Sequence, residues 1–231
     1  MKLIIKDLSK NYGNKEVLQD INFTFETGKI YGLLGRNGSG KTTFFNCLNE
    51  DIDRDSGEFF LDDEVLTTRD IGYAIATPIV PEFLTAKEFL QFFLDINENR
   101  IKEKKSISEY FDLVKIKKED QNLLLKEYSH GMKSKMQILI NVIANPKVIL
   151  LDEPLTSLDI VVQEDMKNLL KTLKKDHIII FSTHILELAM DLCDDITVLS
   201  NKHLEKVEKE NLNMKNYKEK IMKELREDED A

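Results

Sequence analysis

Apolar and polar positions alternate in short stretches through the first and last thirds of the chain, whereas the middle third has the longer period of helices. Short apolar runs that end in Gly, Asn, Asp or Ser are typical of strands bounded by turns. Lys2–Leu8 and Val17–Phe25 predict antiparallel strands joined by a turn at residues 13–14. Lys29–Leu34 predicts a third strand, which leads into a glycine-rich loop and a helix near Lys41–Leu48.

Further along, a turn at residues 55–57 precedes a predicted strand pair, Glu58–Leu61 and Ile71–Ala76. Helical periodicity then predicts helices over Ala86–Ile96 and Met132–Ala144. After Pro146 the predicted elements are Lys147–Asp152, a helix near Val161–Lys174, His177–Ser182, a helix near Ile185–Leu192, and Asp195–Leu199. Strands that alternate with helices indicate a parallel sheet covered on both faces.

We therefore expect a single α/β domain that includes a helical insertion. Residues 1–76 and 147–200 form the predicted core and its antiparallel part, and residues 77–146 form the insertion. Residues 201–231 are predicted to be a charged helix that ends in an acidic tail, Glu227–Asp230.

Composition narrows the class of protein. The 231 residues are 42% hydrophobic and 32% charged, as in ordinary globular proteins. The formal net charge of −9 repels polyanions, which argues against nucleic acid as a partner. No apolar run approaches the roughly 18 residues that cross a bilayer, and the start does not resemble a secretory signal. Cys47 and Cys193 lie far apart without metal-like spacing, so we expect a cytoplasmic protein.

A glycine-rich loop between a strand and a helix carries the strongest chemical signal. Residues 35–42 fit the phosphate-binding pattern G-x-x-x-x-G-K-[ST], and their order is Gly35, Arg36, Asn37, Gly38, Ser39, Gly40, Lys41 and Thr42. Glycines let successive amides face one anion, and the helix start adds its positive dipole end. Lys41 would neutralise the β- and γ-phosphates of ATP, and the Thr42 hydroxyl would bind Mg²⁺.

Two carboxylates follow an apolar strand and should meet the same ligand. Asp152 and Glu153 end the strand that contains residues 148–151, where open α/β sheets bind ligands. Asp152 is predicted to hold Mg²⁺ directly or through water, and Glu153 is the predicted general base for the attacking water. His184 follows the next strand; such a residue is often structural, and its functional interpretation is a γ-phosphate sensor that positions Glu153. Together these residues predict a P-loop NTPase with a parallel core sheet, an N-terminal antiparallel β subdomain and an inserted helical subdomain.

Over nearly its whole length the sequence resembles the ATP-binding subunits of ATP-binding-cassette (ABC) transporters. Tyr12 matches the aromatic that stacks on adenine, residues 128–132 (Tyr-Ser-His-Gly-Met) match the family signature, residues 157–159 match the loop after the carboxylates, and His184 matches the switch histidine. The resemblance implies an ATP site made of Tyr12, Gly35, Arg36, Asn37, Gly38, Ser39, Gly40, Lys41, Thr42, Thr43, Ser129, Gly131 and Asp159. It also implies that Lys41, Glu153 and His184 are catalytic and that Thr42 and Asp152 bind the metal.

The same resemblance implies partners. In this family two subunits pack head to tail, and each ATP lies between one phosphate loop and the partner's signature. The chain would accordingly form a homodimer, or a heterodimer with another ATP-binding subunit, at the cytoplasmic face of the membrane. It would drive a separately encoded permease. Residues 71–92 and 128–137 are most similar to exporter subunits of the antibiotic-resistance and lantibiotic-immunity type.

Two positions depart from the family pattern. Ala76 stands where the family usually has Gln, or Glu in some exporters, and alanine cannot hold water or Mg²⁺. Slow hydrolysis or altered coupling to the permease is the expected consequence. His130 replaces a small signature residue, commonly glycine, and would add sensitivity to pH.

Other functions stay open at this point. One alternative is a soluble ABC-type ATPase, such as the iron–sulfur assembly type, and another is an ATP-gated switch with little turnover, suggested by Ala76. The aromatic residues Phe83, Phe89, Phe92 and Phe93 fit a groove for a permease helix and fit ordinary core packing equally well.

Overall fold

The computed structural model describes residues 1–99, 101, 105–155, 158–207 and 214–226. In those ranges the strands are β1 (Lys2–Tyr12), β2 (Lys15–Glu26), β3 (Ile30–Leu34), β4 (Ser56–Leu61), β5 (Glu64–Val65), β6 (Ile71–Ala74), β7 (Val148–Asp152), β8 (Ile178–Thr183), β9 (Asp195–Ser200) and β10 (His203–Val207). The helices are α1 (Lys41–Leu48), α2 (Ala86–Ile96), α3 (Ile107–Leu113), α4 (His130–Ala144), α5 (Ile160–Leu173), α6 (Leu186–Leu192) and α7 (Met214–Arg226). Short 3₁₀ turns lie at Thr68–Asp70, Asp120–Asn122 and Leu125–Glu127.

An antiparallel sheet forms near the start of the chain, in the strand order β2-β1-β4-β5. The β1–β2 hairpin turns at Gly13, whose φ of 59° lies in the left-handed region that glycine enters without steric cost. Leu3, Ile5 and Phe25 on these strands are buried and pack toward the second sheet. This predicted antiparallel part of the fold is confirmed.

The second sheet has the order β10-β9-β3-β8-β7-β6, and the neighbours from β9 to β6 are parallel. Strands β3, β7 and β8 are buried along their entire length, as expected for central strands of a parallel sheet. Their carboxyl ends therefore reach one edge together, and the phosphate loop, Asp152 and Thr183 all lie there.

Alternate residues of the central strands enter different hydrophobic clusters. Ile149 and Phe181 pack with the helices that follow β6, whereas Leu150 and Ile180 pack against the antiparallel sheet and α1. Because side chains of a strand point to opposite faces in turn, both faces of the sheet are covered by other elements. The α/β fold with a parallel core is thus confirmed.

The helices α2, α3 and α4 lie between β6 and β7, inside the segment predicted as a helical insertion. Thr85 and Ser106 cap α2 and α3, each accepting a hydrogen bond from an amide three residues on. Glu88 and Glu109 bond back to the capping residues, which completes two capping boxes. The boundaries at residues 77 and 146 remain a prediction.

The sequence predicts that the strands Glu58–Leu61 and Ile71–Ala76 pair with each other, and this prediction is wrong. β4 pairs with β1 and β5 in the antiparallel sheet, whereas β6 pairs with β7 at the edge of the parallel sheet. Local sequence places two strands next to each other in the chain but does not say which sheet each joins. β4 also begins at Ser56, inside the predicted turn.

The prediction of a helix from residue 201 onward is wrong for residues 203–207. Asn201 and Lys202 have φ values of 48° and 69°, a tight turn that reverses the chain into β10. Leu204 and Val207 are buried, so the strand is held by the core although its sequence is highly charged. α7 follows as predicted, and the acidic tail Glu227–Asp230 lies outside the described residues.

None of the helices in the described ranges is both long enough and apolar enough to span a bilayer.

Candidate functional site

The glycine-rich loop runs from the end of β3 to the start of α1, as the sequence predicts. Gly38 and Gly40 have φ values of 87° and 107°, which strain any residue with a side chain. A Cβ atom on Gly35 would lie 2.4 Å from the Ser39 Oγ atom, so this glycine is needed for space. The Ser39 hydroxyl is buried without a partner among the described residues. Such a loop leaves polar groups to be satisfied by a ligand.

Lys41 lies across this loop and is only 6% exposed. Its Nζ donates hydrogen bonds to the carbonyl oxygens of Gly35, at 2.7 Å, and Arg36, at 3.0 Å. Burial lowers the pKa of the Lys41 ammonium, and the nearby carboxylates of Glu153 and Asp152 oppose that shift. A bound phosphate would supply an anionic partner for the Lys41 ammonium, because a buried charge is costly unless it is paired.

Asp152 ends β7 and is 2% exposed. One carboxylate oxygen, Oδ2, accepts a hydrogen bond of 2.8 Å from the Thr42 hydroxyl, and the other accepts one from Ser182. The two predicted metal ligands therefore lie side by side. Hydroxyl and carboxylate oxygens are the donors that Mg²⁺ prefers, so the pair fits such an ion.

Glu153 follows at once and is held in an unusual backbone conformation, with φ at 48°. Its amide donates to the Ser182 hydroxyl at 3.0 Å, and its carboxylate oxygens lie 2.9 and 2.8 Å from Nδ1 of His184. Backbone strain of this kind is common at functional sites. The structure thus brings Glu153 and His184 into contact, as predicted.

A cavity of about 380 Å³ opens over these groups. Its lining includes the predicted residues Tyr12, Asn37, Gly38, Gly40, Lys41, Thr42, Thr43, Asp152 and Glu153, together with Lys15, Val17 and Ala76. The volume suits a small-molecule ligand. Tyr12 is half exposed, and Lys10 Nζ lies over its ring at 5.2 Å from the centroid.

The signature residues lie elsewhere, around a second cavity of about 280 Å³. It is lined by Ser129, His130, Gly131, Met132, Lys135, Leu158, Asp159 and Val162 and shares no lining residue with the first. Ser129 caps α4, which starts two residues earlier than predicted, and Asp159 caps α5. Ser157, which the resemblance also matched, lies outside the described residues.

Ser182 is a site residue that the sequence reasoning missed. It pairs with Asp152 in the parallel register of β7 and β8, is fully buried, and hydrogen-bonds to both acidic residues. A serine at the end of a strand is not distinctive in sequence, and only the parallel register of β7 and β8 reveals that it meets Asp152.

Tyr73 is a second missed neighbour of the site. Its hydroxyl donates to Asn46 Oδ1 at 3.2 Å, and burial together with the charge of Asp152 holds the Tyr73 pKa well above its usual range. The phenol therefore stays protonated beside the Asp152 carboxylate. No feature of the local sequence distinguished this tyrosine from a core residue.

A family model described as ABC transporter matches residues 18–156. An uncharacterized ABC transporter ATP-binding protein of Methanocaldococcus jannaschii is 34% identical over 200 residues, which are 86% of this chain and 74% of that protein. The bacitracin transport ATP-binding protein of Bacillus licheniformis is 33% identical over 229 residues, 94% of this chain and 74% of that protein.

A solved structure also shares the fold. It is a dimeric ATP-binding cassette in a post-hydrolysis state, bound to ADP and Pi. Its TM-score is 0.76 at 22% identity, over 89% of this chain and 99% of that one. At that identity the likeness concerns the fold alone.

Ser182→Ala tests how far the site depends on the buried hydroxyl. The change removes one of the two hydroxyl hydrogen bonds to Asp152 and the bond from the Glu153 amide, which keeps a longer one of 3.3 Å to the Ser182 carbonyl. A hydrogen bond to a charged group contributes about 1.5–3 kcal/mol. We expect the phosphate-release rate with Mg²⁺ and ATP to fall about tenfold, which corresponds to a barrier higher by about 1.4 kcal/mol.

Thr197→Val is the matched control, since Thr197 is also fully buried and donates to the Gly32 carbonyl at 3.0 Å, away from the cavity. It should lose comparable thermal stability and keep its turnover. Equal turnover in both variants would contradict the role given to Ser182.

Proposed function

This chain belongs to the ABC transporter family of ATP-binding proteins, and we propose that it energises a separately encoded membrane permease as its ATP-hydrolysing subunit. As a member of that family it binds ATP and is an ATPase. Its membrane partner, the direction of transport, the bound metal and the residues that bind and hydrolyse ATP are proposed below. This proposal is carried by one observation: Lys41, Asp152 and Glu153 line a single cavity, and His184 contacts Glu153.

The phosphate loop would bind the triphosphate through its amides and Lys41. Glycine conformations at Gly38 and Gly40 let the backbone curl around an anion, and the unpaired amides at the start of α1 add to it. The Lys41 ammonium already lies within the loop, so it needs little reorganisation when phosphate arrives. Tyr12, which also lines the cavity, would stack on the adenine.

Thr42 and Asp152 would hold Mg²⁺ together with oxygens of the nucleotide, since Mg²⁺ in such sites takes only one or two carboxylates from the protein. When bound, the ion would supply positive charge against the phosphates during transfer. Asp152 is fixed for this task by two hydroxyl donors, which leaves its carboxylate little freedom to rotate.

Glu153 would accept the proton of the attacking water. A general base has to lie within hydrogen-bond reach of that water, at the edge of the cavity where the γ-phosphate ends. The contact with His184 fixes the carboxylate, and the bond from the Glu153 amide to Ser182 fixes the backbone. Both supports come from β8 or the residues that follow it, so the base is positioned by the rigid sheet.

In a single copy the signature residues lie away from the phosphate loop, because the cavity that they line shares no lining residue with the phosphate-loop cavity. An ATP bound at the phosphate loop would therefore not reach the signature of the same copy. We infer that a second ATP-binding subunit closes over each ATP, as the family resemblance implies. Ser129 and Gly131, at the start of a 15-residue helix, would then contact the γ-phosphate held by the other subunit. The dimeric cassette with ADP and Pi supports this arrangement by fold only.

The segment before and within α2 would receive the permease. Phe83 and Phe92 are 80% and 56% exposed, and Ile79 and Ile96 in the same segment are 74% and 63% exposed. Apolar exposure on this scale is typical of a protein contact. Phe89 and Phe93, by contrast, pack against the core, so only part of the predicted aromatic groove is open.

Export is the direction we propose, and a place at the cytoplasmic face of the membrane follows from a permease partner. The support is the likeness of residues 71–92 and 128–137 to exporter subunits, together with a bacitracin transport protein among the relatives. The alternative is a soluble ABC-type ATPase of the iron–sulfur assembly kind, which would bind no multi-spanning chain.

Glu153→Gln tests two proposals together: that Glu153 is the general base, and that two subunits enclose each ATP. Without a base, phosphate release should fall about a hundredfold or more, and uncleaved ATP should hold two copies together. Sedimentation of the variant with Mg²⁺ and ATP should show a dimer that is absent without nucleotide. Glu205→Gln, an exposed change on β10, should behave like the unsubstituted chain in both measurements.

A Glu153→Gln variant that stays monomeric with ATP would rule out a dimer in which two copies of this chain enclose the nucleotide. If the unsubstituted chain releases no phosphate, alone or with its partner, the ATP-gated switch suggested by Ala76 replaces the proposed ATPase cycle.

Phe83→Ser combined with Phe92→Ser tests the permease surface. The tagged chain, isolated from gently solubilised membranes, should bring down a multi-spanning protein, and the double variant should recover about tenfold less of it, since exposed aromatic anchors dominate such contacts. Val65→Ser is the matched control, because Val65 lies on β5 of the antiparallel sheet and is also apolar and 70% exposed. A soluble partner complex with no membrane protein would favour the alternative.

A further inference from the structure

Tyr73 lies on the face of the parallel sheet where Asp152 meets α1. It pairs with Leu150 in the parallel register of β6 and β7. Because side chains of a strand alternate between the two faces, Leu150 and Asp152 point the same way, and Tyr73 points with them. Tyr73 packs against the hydrophobic cluster that contains Leu150 together with Phe44 and Phe45 of α1. The phenol is therefore placed between β7 and the helix that begins at the phosphate loop.

Two residues of α1 hold the phenol in this position. Its hydroxyl donates a hydrogen bond of 3.2 Å to Asn46 Oδ1, and the ring of Phe45 meets the Tyr73 ring nearly edge-on, with the centroids 5.8 Å apart. Asn46 follows Thr42 by one helical turn, so both side chains lie on the same face of α1. Since Thr42 donates to Asp152 at 2.8 Å, one face of α1 supports the phenol and the carboxylate together.

The phenol also interacts with the Asp152 carboxylate. Burial and the charge of Asp152, with a hydrogen bond between the two side chains, hold the pKa of Tyr73 above its usual range. The phenol is therefore neutral at physiological pH and presents the positive end of its O–H bond to the Asn46 carboxamide and the Asp152 carboxylate. Tyr73 does not line the phosphate-loop cavity, so any influence that it has on a bound nucleotide is indirect.

We propose that Tyr73 is a positioning residue for the metal site: together with Asn46 it holds the Asp152 carboxylate in the orientation that binds Mg²⁺. This inference rests on the Mg²⁺ site of Thr42 and Asp152 proposed above. Thr42 would share its hydroxyl oxygen with the ion, so the restraint of the carboxylate would fall on the phenol and on the Ser182 hydroxyl. Losing a group that orients a metal-binding carboxylate typically weakens metal binding by about 10- to 100-fold.

The test separates the metal's contribution to nucleotide binding from that of the phosphate loop. A slowly hydrolysed ATP analogue is titrated calorimetrically into the unsubstituted chain and into Tyr73→Phe, once with Mg²⁺ and once with EDTA. The ratio of the two dissociation constants measures how much Mg²⁺ strengthens binding, and it requires no hydrolysis. Tyr31→Phe is the matched control, because Tyr31 is a phenol buried in the same cluster, and its oxygen accepts the Glu26 amide at 2.9 Å, outside the cavity.

In Tyr73→Phe the strengthening by Mg²⁺ should fall about tenfold, while the affinity measured in EDTA stays the same. Asn46→Ala should reduce the strengthening less, because the phenol keeps the Asp152 carboxylate as an acceptor. Tyr31→Phe should leave both quantities unchanged.

Equal strengthening by Mg²⁺ in Tyr73→Phe and in Tyr31→Phe would overturn this inference and leave the proposed metal site intact. A loss of affinity that is the same with Mg²⁺ and with EDTA would overturn it as well, since the phenol would then act on the phosphate loop or on the fold. If Mg²⁺ does not strengthen binding to the unsubstituted chain, the proposed metal site itself is wrong, and this inference is wrong with it.

Discussion

Two acidic side chains stand at the carboxyl edge of a sheet that is buried on both faces, and the whole site depends on how their charge is satisfied. Asp152 is nearly inaccessible and is held by the hydroxyls of Thr42 and Ser182. Ser182 also accepts a hydrogen bond from the Glu153 amide, so one buried hydroxyl ties the Asp152 carboxylate and the Glu153 backbone to the next strand. Buried charges without such partners are costly, which is why the phosphate loop, the carboxylates and the strand register cannot vary independently.

Much of this arrangement could be predicted from the sequence, because its signals are local. The apolar runs that became β3, β7 and β8 are continuous, and the loop pattern that ends in Lys41 and Thr42 has a fixed spacing. The two assignments that failed depend on tertiary contacts rather than on the local sequence pattern. β6 joins the parallel sheet through β7, far along the chain, and β10 is held by the burial of Leu204 and Val207 despite a charged sequence that favours a helix.

Site residues likewise differ in whether the local sequence predicts them. Residues with a chemical signature, such as Lys41, Glu153 and His184, were found, and the structure brings them to one cavity or into direct contact. Ser182 was not found, because a serine at the end of a strand carries no signal until the register of β7 and β8 is known. The signature residues line a separate cavity, and the proposal that a second subunit completes the site rests on that separation together with the family.

The most direct measurement is a calorimetric titration of the purified chain with Mg²⁺ and a slowly hydrolysed ATP analogue, repeated with Lys41→Ala. Lys147→Ala is the control, because Lys147 pairs with Asp70 outside the cavity. The account predicts saturable binding that weakens at least about tenfold without the Lys41 ammonium, a loss of about 1.4 kcal/mol, and is unchanged in the control. Equal affinity in the Lys41→Ala protein would contradict a triphosphate site built on this loop.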